Sequence, residues 1–204
     1  MENLEIKPYA IILKPDLILY KKIDLIKQNV STFVKDSVEF LDHPPHLTIF
    51  VTKLENHVIW LEKFQDFVIN MKKIRLYVNG WHTFNEITNS KKTLVCTIND
   101  LRILRNLQID VINFFNQFRS GTLKKYSMIK NPALLENVNK FGFPFVGNVW
   151  IPHLTIGSFS KEDYKSIIDK KYESPVGFYN LEAISIIDIS DNNYKEVYSY
   201  NLSD

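Results

Sequence analysis

The sequence predicts a mixed fold of helices and strands, arranged as two lobes that share one sheet system. Strand-like and helix-like patterns alternate along the whole chain of 204 residues. The order strand, helix, strand, helix, strand pair occurs twice in outline, which indicates a weak internal duplication. No linker rich in Gly, Ser or Pro separates the halves. We therefore expect residues 1–204 to form one domain of two intertwined lobes.

The first half of the chain contains four elements with clear periodicity. Residues 8–14, PYAIILK, form an apolar run bounded by prolines that is typical of a buried strand. Residues 16–30 space their apolar side chains as a helix does, and Asp16 is suited to cap it. Residues 46–52, HLTIFVT, are β-branched and aromatic and predict a strand, and residues 57–71 return to helical spacing.

The second half continues this alternation. Residues 73–79 and 92–98 predict two paired strands joined through the turn-like phrase NGWHTF, and residues 100–118 carry the longest helical pattern. Residues 119–150 are less regular, with a short helix expected at 132–139. The last predicted elements are a strand at 150–159, a helix at 161–171, and strands at 178–190 and 194–202 joined by a turn at 191–193.

Composition narrows the class of protein. Hydrophobic residues make up 45% of the chain and aromatic residues 13%, which is enough for a real core and excludes a disordered chain. The 25 basic residues nearly balance the 23 acidic ones, for a net charge of +2. That balance excludes a strongly basic nucleic-acid coat but leaves room for a local pocket that binds a few phosphates.

The chain also carries few signs of export or of membrane insertion. Its single cysteine, Cys96, lies in an apolar run and is expected to be a small core residue. The N-terminal MENLEIK lacks the apolar stretch of a signal peptide, and no run approaches the roughly 18 apolar residues of a spanning helix. We expect a soluble, cytoplasmic monomer with no membrane partner.

One four-residue phrase, His-Leu-Thr-Ile, occurs twice, at 46–49 and 153–156, each time directly after a proline. The chain has only 5 histidines, so this repetition would arise by chance in about one of a thousand sequences of the same composition. In a strand, residues i and i+2 project to one face, about 6.6 Å apart. Each histidine therefore shares a face with its threonine, while leucine and isoleucine face the core.

Two imidazoles are the groups that phosphodiester cleavage needs. One neutral imidazole accepts a proton from the attacking water or hydroxyl, and the other, protonated, donates one to the leaving oxygen. Threonine hydroxyls can donate hydrogen bonds to the non-bridging phosphate oxygens, where charge develops. This scheme requires no metal and no cofactor. The residues themselves leave open which histidine is the acid and which is the base.

The paired phrases resemble the His-x-Thr-x motifs of the two-histidine (2H) phosphoesterase superfamily, which includes 2'-5' RNA ligase-like proteins and cyclic nucleotide phosphodiesterases. The resemblance implies an α+β fold of two pseudo-symmetric lobes, with antiparallel sheets that form a central cleft and helices on the outside. It implies that His46 and His153 are the catalytic acid and base, and that Thr48 and Thr155 bind phosphate. The implied substrate is RNA or a small nucleotide with a 2',3'-cyclic or 2'-5' phosphodiester.

The two motifs differ in the residue that follows them, which is Phe50 in the first and Gly157 in the second. We expect this difference to make the two halves of the cleft inequivalent and to orient the substrate. Further aromatic and histidine side chains are candidates for contact with substrate, because rings at a cleft edge can stack on a base. These candidates are Tyr9, Phe50, Trp81, His82, Phe84 and Tyr198.

Two alternatives compete with this interpretation, a metal site and a binding module, and the role of one segment is open. Asp42, His43 and His46 could ligate zinc, but the two prolines between the histidines forbid the helical turn that usually supports this spacing, and we expect no metal. Residues 119–150, rich in lysine and aromatic residues, are either a solvated loop or a lid that selects the substrate. The protein could also be a module that binds a nucleotide or an RNA end without turning it over.

Overall fold

The structure is a computed structural model that describes residues 5–34, 38–55, 58–85, 91–99, 101–170, 172–190 and 194–204. It contains seven strands and five α-helices within these ranges. The strands are β1 (Ile6–Pro15), β2 (Leu47–Glu55), β3 (Ile74–Asn85), β4 (Lys92–Asn99), β5 (His153–Phe159), β6 (Gly177–Asp188) and β7 (Lys195–Asn201). The helices are α1 (Leu17–Ser31), α2 (Val58–Val68), α3 (Leu101–Asn116), α4 (Pro132–Phe141) and α5 (Lys161–Ile168).

All seven strands belong to one antiparallel sheet in the order β1-β2-β5-β4-β3-β6-β7, with a further pairing of β1 with β6. Two groups of strands form the lobes: β2, β1, β6 and β7 in one, and β5, β4 and β3 in the other. β6 joins them, because residues 177–181 pair with β3 while residues 181–188 pair with β1. The predicted α+β fold of two lobes with antiparallel sheets is confirmed, and the two sheets are continuous through this shared strand.

The strands that carry the two motifs meet at their first residues. β2 and β5 are antiparallel and pair at Leu47 and Leu154, the one pair recorded between them in the described part of the chain. From that point the strands run in opposite directions into their own lobes, β2 beside β1 and β5 beside β4. The fold therefore brings both His-Leu-Thr-Ile phrases to the junction of the lobes.

Helix α1 begins where the sequence predicts. The Asp16 carboxylate accepts a hydrogen bond from the Leu19 amide at 2.9 Å, the arrangement of a side-chain N-cap. Its second oxygen accepts from the Asn180 amide of β6 at 2.7 Å. Asp16 thus fixes the start of the helix and attaches it to the strand shared by both lobes.

Helices α2 and α3 cover one face of the first lobe with aromatic side chains. Phe64 of α2 and Phe115 of α3 have ring centroids 5.1 Å apart, and Phe64 also contacts Tyr198 of β7 at 5.8 Å. Tyr9 of β1 is 2% exposed and contacts Trp60 edge-to-face at 5.4 Å. Offset and edge-on ring pairs of this kind add to the stability that apolar burial provides.

Residues 119–150 fold into a layer against β2 and α3. Asn131 caps α4, whose observed range of Pro132–Phe141 agrees with the helix predicted at 132–139. The Gln108 side chain of α3, fully buried, donates hydrogen bonds to the carbonyls of Ile49 at 3.0 Å and Phe145 at 2.9 Å. This amide ties the layer to the strand of the first motif. A role of residues 119–150 in selecting substrate stays a prediction.

The phrase NGWHTF, predicted as a turn, is part of β3. A β-bulge lies between Val78 and Gly80, and Gly80 has a φ of 120°. The extra residue of a bulge bends a strand without ending it, and glycine adopts the positive φ without strain. The predicted loop, with His82 in it, is therefore wrong, because an Asn-Gly pair signals bulges as well as turns.

Other differences between prediction and structure are at element ends. Two predicted helices are shorter at their C-termini, at Val68 for α2 and at Ile168 for α5. The turn predicted at 191–193 lies outside the described residues. No helix in the described ranges has both the length and the apolar character needed to cross a membrane.

Candidate active site

The two motifs have the same pattern of burial. Leu47 and Ile49 are fully buried, while His46 and Thr48 between them keep partial exposure. In the second motif, the leucine and isoleucine of residues 153–156 are also fully buried, and its histidine and threonine are again half-buried. This alternation is the strand periodicity that the sequence predicts, and it turns both histidines and both threonines away from the core.

The register of β2 and β5 relates the four side chains to one another. Because Leu47 pairs with Leu154 in antiparallel fashion, His46 lies across from Thr155 and Thr48 lies across from His153. Cross-strand neighbours of this kind have Cβ atoms about 4.5–5.5 Å apart. The register therefore places each histidine opposite the threonine of the other motif, in a local two-fold arrangement.

Both imidazoles are oriented by the same backbone contact. The Nδ1 of His46 lies 2.7 Å from the carbonyl oxygen of Pro44, and the Nδ1 of His153 lies 2.7 Å from that of Ile151. A carbonyl oxygen can only accept, so each Nδ1 carries the proton and donates it. The Nε2 of a neutral imidazole is then an acceptor, the form that a general base requires.

A buried lysine supports the loop that leads into the first motif. Lys27 of α1 is only 4% exposed, and its ammonium donates hydrogen bonds to the carbonyls of Phe40 at 2.7 Å and His43 at 2.6 Å. Burial lowers the pKa of Lys27 to about 8, so it remains mostly charged at neutral pH. Lys27 was not among the predicted site residues. Its signal is a lysine within the apolar stripe of a helix, one residue after the buried Ile26.

The His46 ring is also packed against an aromatic side chain that directly precedes β7. The Tyr194 ring lies 5.1 Å from the ring of His46 and 4.7 Å from that of His43. Burial raises the pKa of the Tyr194 phenol, with Glu196 adding to the effect, so the phenol is neutral and acts as packing for the imidazole. No local pattern indicates that this tyrosine lies beside the first motif, because the contact joins residues distant in the chain.

Both motif histidines favour the neutral form in the folded protein. Burial lowers the pKa of His46 to about 4, and the Lys27 ammonium adds to this effect, while the hydrogen bond to the Pro44 carbonyl opposes it. Burial also lowers the pKa of His153, opposed by the bond to Ile151. A negatively charged phosphate bound between the rings would raise both pKa values, because it favours the imidazolium.

These pKa shifts predict a specific loss of stability in mild acid. Unfolded histidine binds its proton near pH 6.5, whereas folded His46 does so near pH 4. The unfolded chain therefore binds more protons between these values, and the free energy of unfolding falls as the pH is lowered through that window. We expect His46→Asn to reduce this fall by about 1–2 kcal/mol between pH 7 and pH 5, measured by urea unfolding. Equal slopes in variant and parent would contradict the neutral state of His46.

Two of the predicted substrate-contacting residues lie beside His153. The Phe84 ring is 5.0 Å from the His153 ring in an edge-on arrangement, and His82 contacts Phe84 at 5.1 Å. His82 also pairs with Val95 of β4, and Val95 pairs in turn with Thr155 of β5. β3 therefore contributes an imidazole and a phenyl ring to the wall of the site on the side of the second motif.

The other four predicted contact residues have other surroundings. Trp81 pairs with buried Cys96 on the opposite face of β3, and its indole donates to the Tyr172 carbonyl at 3.4 Å. Tyr9 and Tyr198 pack under α2, as described above. Phe50 is fully buried against Phe143, with centroids 5.7 Å apart. These four residues support the sheet from its core side.

The predicted contrast between Phe50 and Gly157 has a packing origin. Phe50 fills the core between β2 and the layer formed by residues 119–150. At Gly157 a Cβ would lie 2.7 Å from the Phe159 ring and 3.0 Å from Val38, so the backbone is packed too closely for a side chain. Both positions are buried. The asymmetry of the cleft comes instead from Lys27 and Tyr194 on one side and Phe84 on the other.

No group of three or more His, Cys, Asp or Glu side chains suited to a metal ion occurs among the residues the structure describes. His43, which the sequence offered as a ligand beside Asp42 and His46, packs its ring at a tilt against Tyr194, with centroids 4.7 Å apart. The ring of Phe40 contacts it edge-on from another side, at 5.5 Å.

A scan against protein-family models found no match, and neither did a search of curated proteins. Solved structures do match. LigT from E. coli in its apo form is 13% identical, with 98% of this chain and 99% of LigT covered at a TM-score of 0.55. LigT complexed with 3'-AMP is 11% identical, with coverage of 98% and 100% and a TM-score of 0.55. TT0787 from Thermus thermophilus is 12% identical, with 97% of each chain covered and a TM-score of 0.54.

The match to these structures extends over nearly the whole of each chain. At such low sequence identity, the similarity establishes the architecture and the order of the elements. The chain therefore shares the α+β fold of LigT and TT0787, which agrees with the fold that the resemblance of its paired His-Leu-Thr-Ile motifs implies.

Proposed function

We propose that this protein is a phosphodiesterase that acts on RNA or nucleotides, with His46 and His153 as the general acid–base pair. The reaction would be the opening of a 2',3'-cyclic phosphate, or the cleavage or formation of a 2'-5' linkage. The observation that carries this proposal is the matched orientation of two half-buried imidazoles, each with Nδ1 bound to a carbonyl and each beside a threonine. That E. coli LigT has been crystallised with 3'-AMP and with ATP adds support for a nucleotide ligand.

In the proposed reaction the phosphate lies between the two motifs. Thr48 and Thr155 donate hydrogen bonds to its non-bridging oxygens and stabilise the charge that develops there. The neutral imidazole takes a proton from water through Nε2 as the oxygen attacks phosphorus. The protonated imidazole then donates its Nε2 proton to the leaving sugar oxygen, so the phosphate is released as a monoester and the two proton transfers balance.

We assign the base to His46 and the acid to His153. The Lys27 ammonium lies under the loop that ends at His46 and disfavours a second positive charge there. Burial and, to a smaller extent, His82 lower the pKa of His153, and no lysine or arginine contributes to that shift. When the anionic substrate binds, the proton is therefore held more easily on His153 than on His46.

Replacing Lys27 tests this assignment. In Lys27→Met the cation is lost while the length of the side chain is kept, so the pKa of His46 should rise. We expect the acidic limb of the pH profile of kcat/KM, which reports the base, to move to higher pH while the alkaline limb stays in place. Lys27→Arg keeps the charge and should keep the acidic limb near that of the parent. Movement of the alkaline limb instead would reverse the roles of the two histidines.

The activity itself is tested with a panel of 2',3'-cyclic, 3',5'-cyclic and 2'-5'-linked substrates in EDTA. Product mass and phosphorus NMR would show whether a 2'- or a 3'-phosphate is released. Because two imidazoles supply both proton transfers, we expect turnover of at least one class to persist in the chelator. A thermal shift with these ligands and no product from any of them would favour the alternative, a module that binds nucleotides or RNA ends without catalysis.

A further inference from the structure

The face of the sheet that carries His153 continues beyond the catalytic pair. The register aligns His153 of β5 with Thr97 of β4. Two residues further along β4, and therefore on the same face, Asn99 pairs with Tyr77 of β3. Tyr77 in turn pairs with Phe178 of β6. Partly or fully exposed side chains thus follow one another across four strands, from the second motif to Phe178 of β6.

An aromatic and cationic groove lies at the far end of this surface. Phe178 is 65% exposed, so its ring is accessible to a ligand. The Tyr77 ring contacts it edge-on at 4.9 Å, and the Arg75 guanidinium lies over it at 4.8 Å. The groove has a volume of about 560 Å³. Its lining residues are Lys72, Lys73, Ile74, Arg75, Ile103 and Phe178.

The charge of the groove is positive although acidic groups are near. Lys73 forms ion pairs with Asp204 at 2.7 Å and with Glu182 at 3.8 Å, so its charge is largely compensated. Lys72 and Arg75 make no ion pair within 4 Å among the described residues. An exposed ring with a guanidinium over it and a lysine beside it is the combination that binds a base by stacking and a phosphate by charge.

The groove is too far from the catalytic pair to serve a mononucleotide. Phe178 lies three strands away from His153 across the sheet and two residues further along the strand direction. In a flat sheet this separation is about 16 Å. A nucleotide whose phosphate lies between the histidines does not reach that far. The neighbouring nucleotides of an RNA strand do reach the groove, because they can lie along the partly exposed side chains of Thr97 and Tyr77.

We infer that the groove formed by Arg75, Phe178 and Lys72 binds a flanking nucleotide of a single-stranded RNA whose terminal phosphodiester lies between His46 and His153. This inference rests on the proposed function and names its substrate class as an oligonucleotide end in preference to a free cyclic mononucleotide. The Phe178 ring and the Arg75 guanidinium stack on a base, and Lys72 contacts the backbone phosphate. The near-neutral charge of the whole chain, +2, suits recognition of a few nucleotides more than the binding of long RNA.

The test compares substrates that differ only in length. A mononucleotide and a pentanucleotide with the same 2',3'-cyclic end are given to the parent protein and to Phe178→Ala/Arg75→Gln. We expect kcat/KM for the pentanucleotide to fall about tenfold or more, the effect of losing one stacked base, and kcat/KM for the mononucleotide to stay within about twofold. The parent's preference for the longer substrate should weaken as salt is raised.

The chain offers a matched control. Lys170 lies over the Phe33 ring at 4.8 Å, the same kind of cation–ring pair at the same distance, away from this face. Phe33→Ala/Lys170→Gln should leave both substrates unaffected. Thermal unfolding of both double variants would show that each remains folded, as expected for replacements of exposed side chains.

Two further outcomes separate this inference from the proposed function. Equal losses on both substrates, or none on the pentanucleotide, would overturn the inference and leave the phosphodiesterase assignment standing. If the parent turned over neither substrate, the opening of a 2',3'-cyclic phosphate would be excluded as its reaction, and the 2'-5'-linked substrates of the panel would test what is left of the proposed function. Fluorescence anisotropy with a labelled pentanucleotide ending in a 3'-phosphate would then test nucleotide binding by the groove without turnover. Weaker binding by Phe178→Ala/Arg75→Gln would support the inference, and unchanged binding would overturn it.

Discussion

Replacing His46 or His153 by alanine is expected to lower kcat by about 10²–10⁴-fold, the usual contribution of a positioned general acid or base. Each variant removes one of the two proton transfers that the reaction needs and leaves the other in place. Initial rates with a 2',3'-cyclic substrate in EDTA measure the effect. Because the two histidines act on one transition state, the double variant should lose less than the product of the single losses.

The controls for this prediction separate chemistry from folding. Lys165 is exposed on α5, so Lys165→Ala should have the activity of the parent. A loss in this variant would indicate damage during purification and not an effect on catalysis. Both histidine variants should keep their circular dichroism spectra, because both side chains are partly exposed and the buried leucine and isoleucine of each motif are unchanged. Full activity in either alanine variant would refute the catalytic pair.

Removing one motif hydroxyl should have the second-largest effect. Thr48→Val and Thr155→Val keep the shape of the side chain and remove the donor to the phosphate oxygen. We expect kcat to fall by about 10²-fold in each variant, comparable with the loss of one oxyanion donor in other enzymes. KM should change much less, because the interaction strengthens as charge develops on phosphorus. Steady-state kinetics on the preferred substrate of the panel would separate the two constants.

A second threonine of β2 provides the comparison. Thr52 of β2 is 1% exposed, and its hydroxyl has no hydrogen-bond partner among the described residues. Thr52→Val should keep full activity and raise the free energy of unfolding by about 1 kcal/mol, because an unsatisfied buried hydroxyl is replaced by a methyl group. Thr48→Ser and Thr155→Ser, which keep the donor, should recover most of the lost rate. If the valine variants at 48 and 155 were as active as Thr52→Val, the phosphate contacts would be refuted.

Local patterns in the chain predicted most of the secondary structure correctly. Period-two alternation in HLTI set which side chains of each motif are buried, and the structure has the same alternation in both. The helix at Leu17–Ser31 begins after its predicted cap, Asp16. Such features depend on residues close in sequence, so a sequence pattern is sufficient to predict them.

The errors occurred where one local signal has two structural meanings. Asn-Gly in NGWHTF signals a turn, but the partner strand β4 continues alongside it, and the sheet accommodates Gly80 as a bulge. The pairing of β3 with β4 decided between a turn and a bulge. The same pairing brings His82 and Phe84 to the second motif, whereas Trp81 between them faces the other side.

Sequence patterns alone were sufficient to predict the two lobes, the two strands that carry the His-Leu-Thr-Ile phrases, and the chemistry that two imidazoles and two hydroxyls can perform. The meeting of β2 and β5 at Leu47 and Leu154, which sets each histidine beside the threonine of the other motif, is visible only in three dimensions. The position of Lys27 under the loop before His46 and the position of Phe84 beside His153 are also visible only in three dimensions. The physical reason is that strand register and side-chain packing depend on contacts between residues more than 100 positions apart in the case of the motifs, and no local pattern records such contacts.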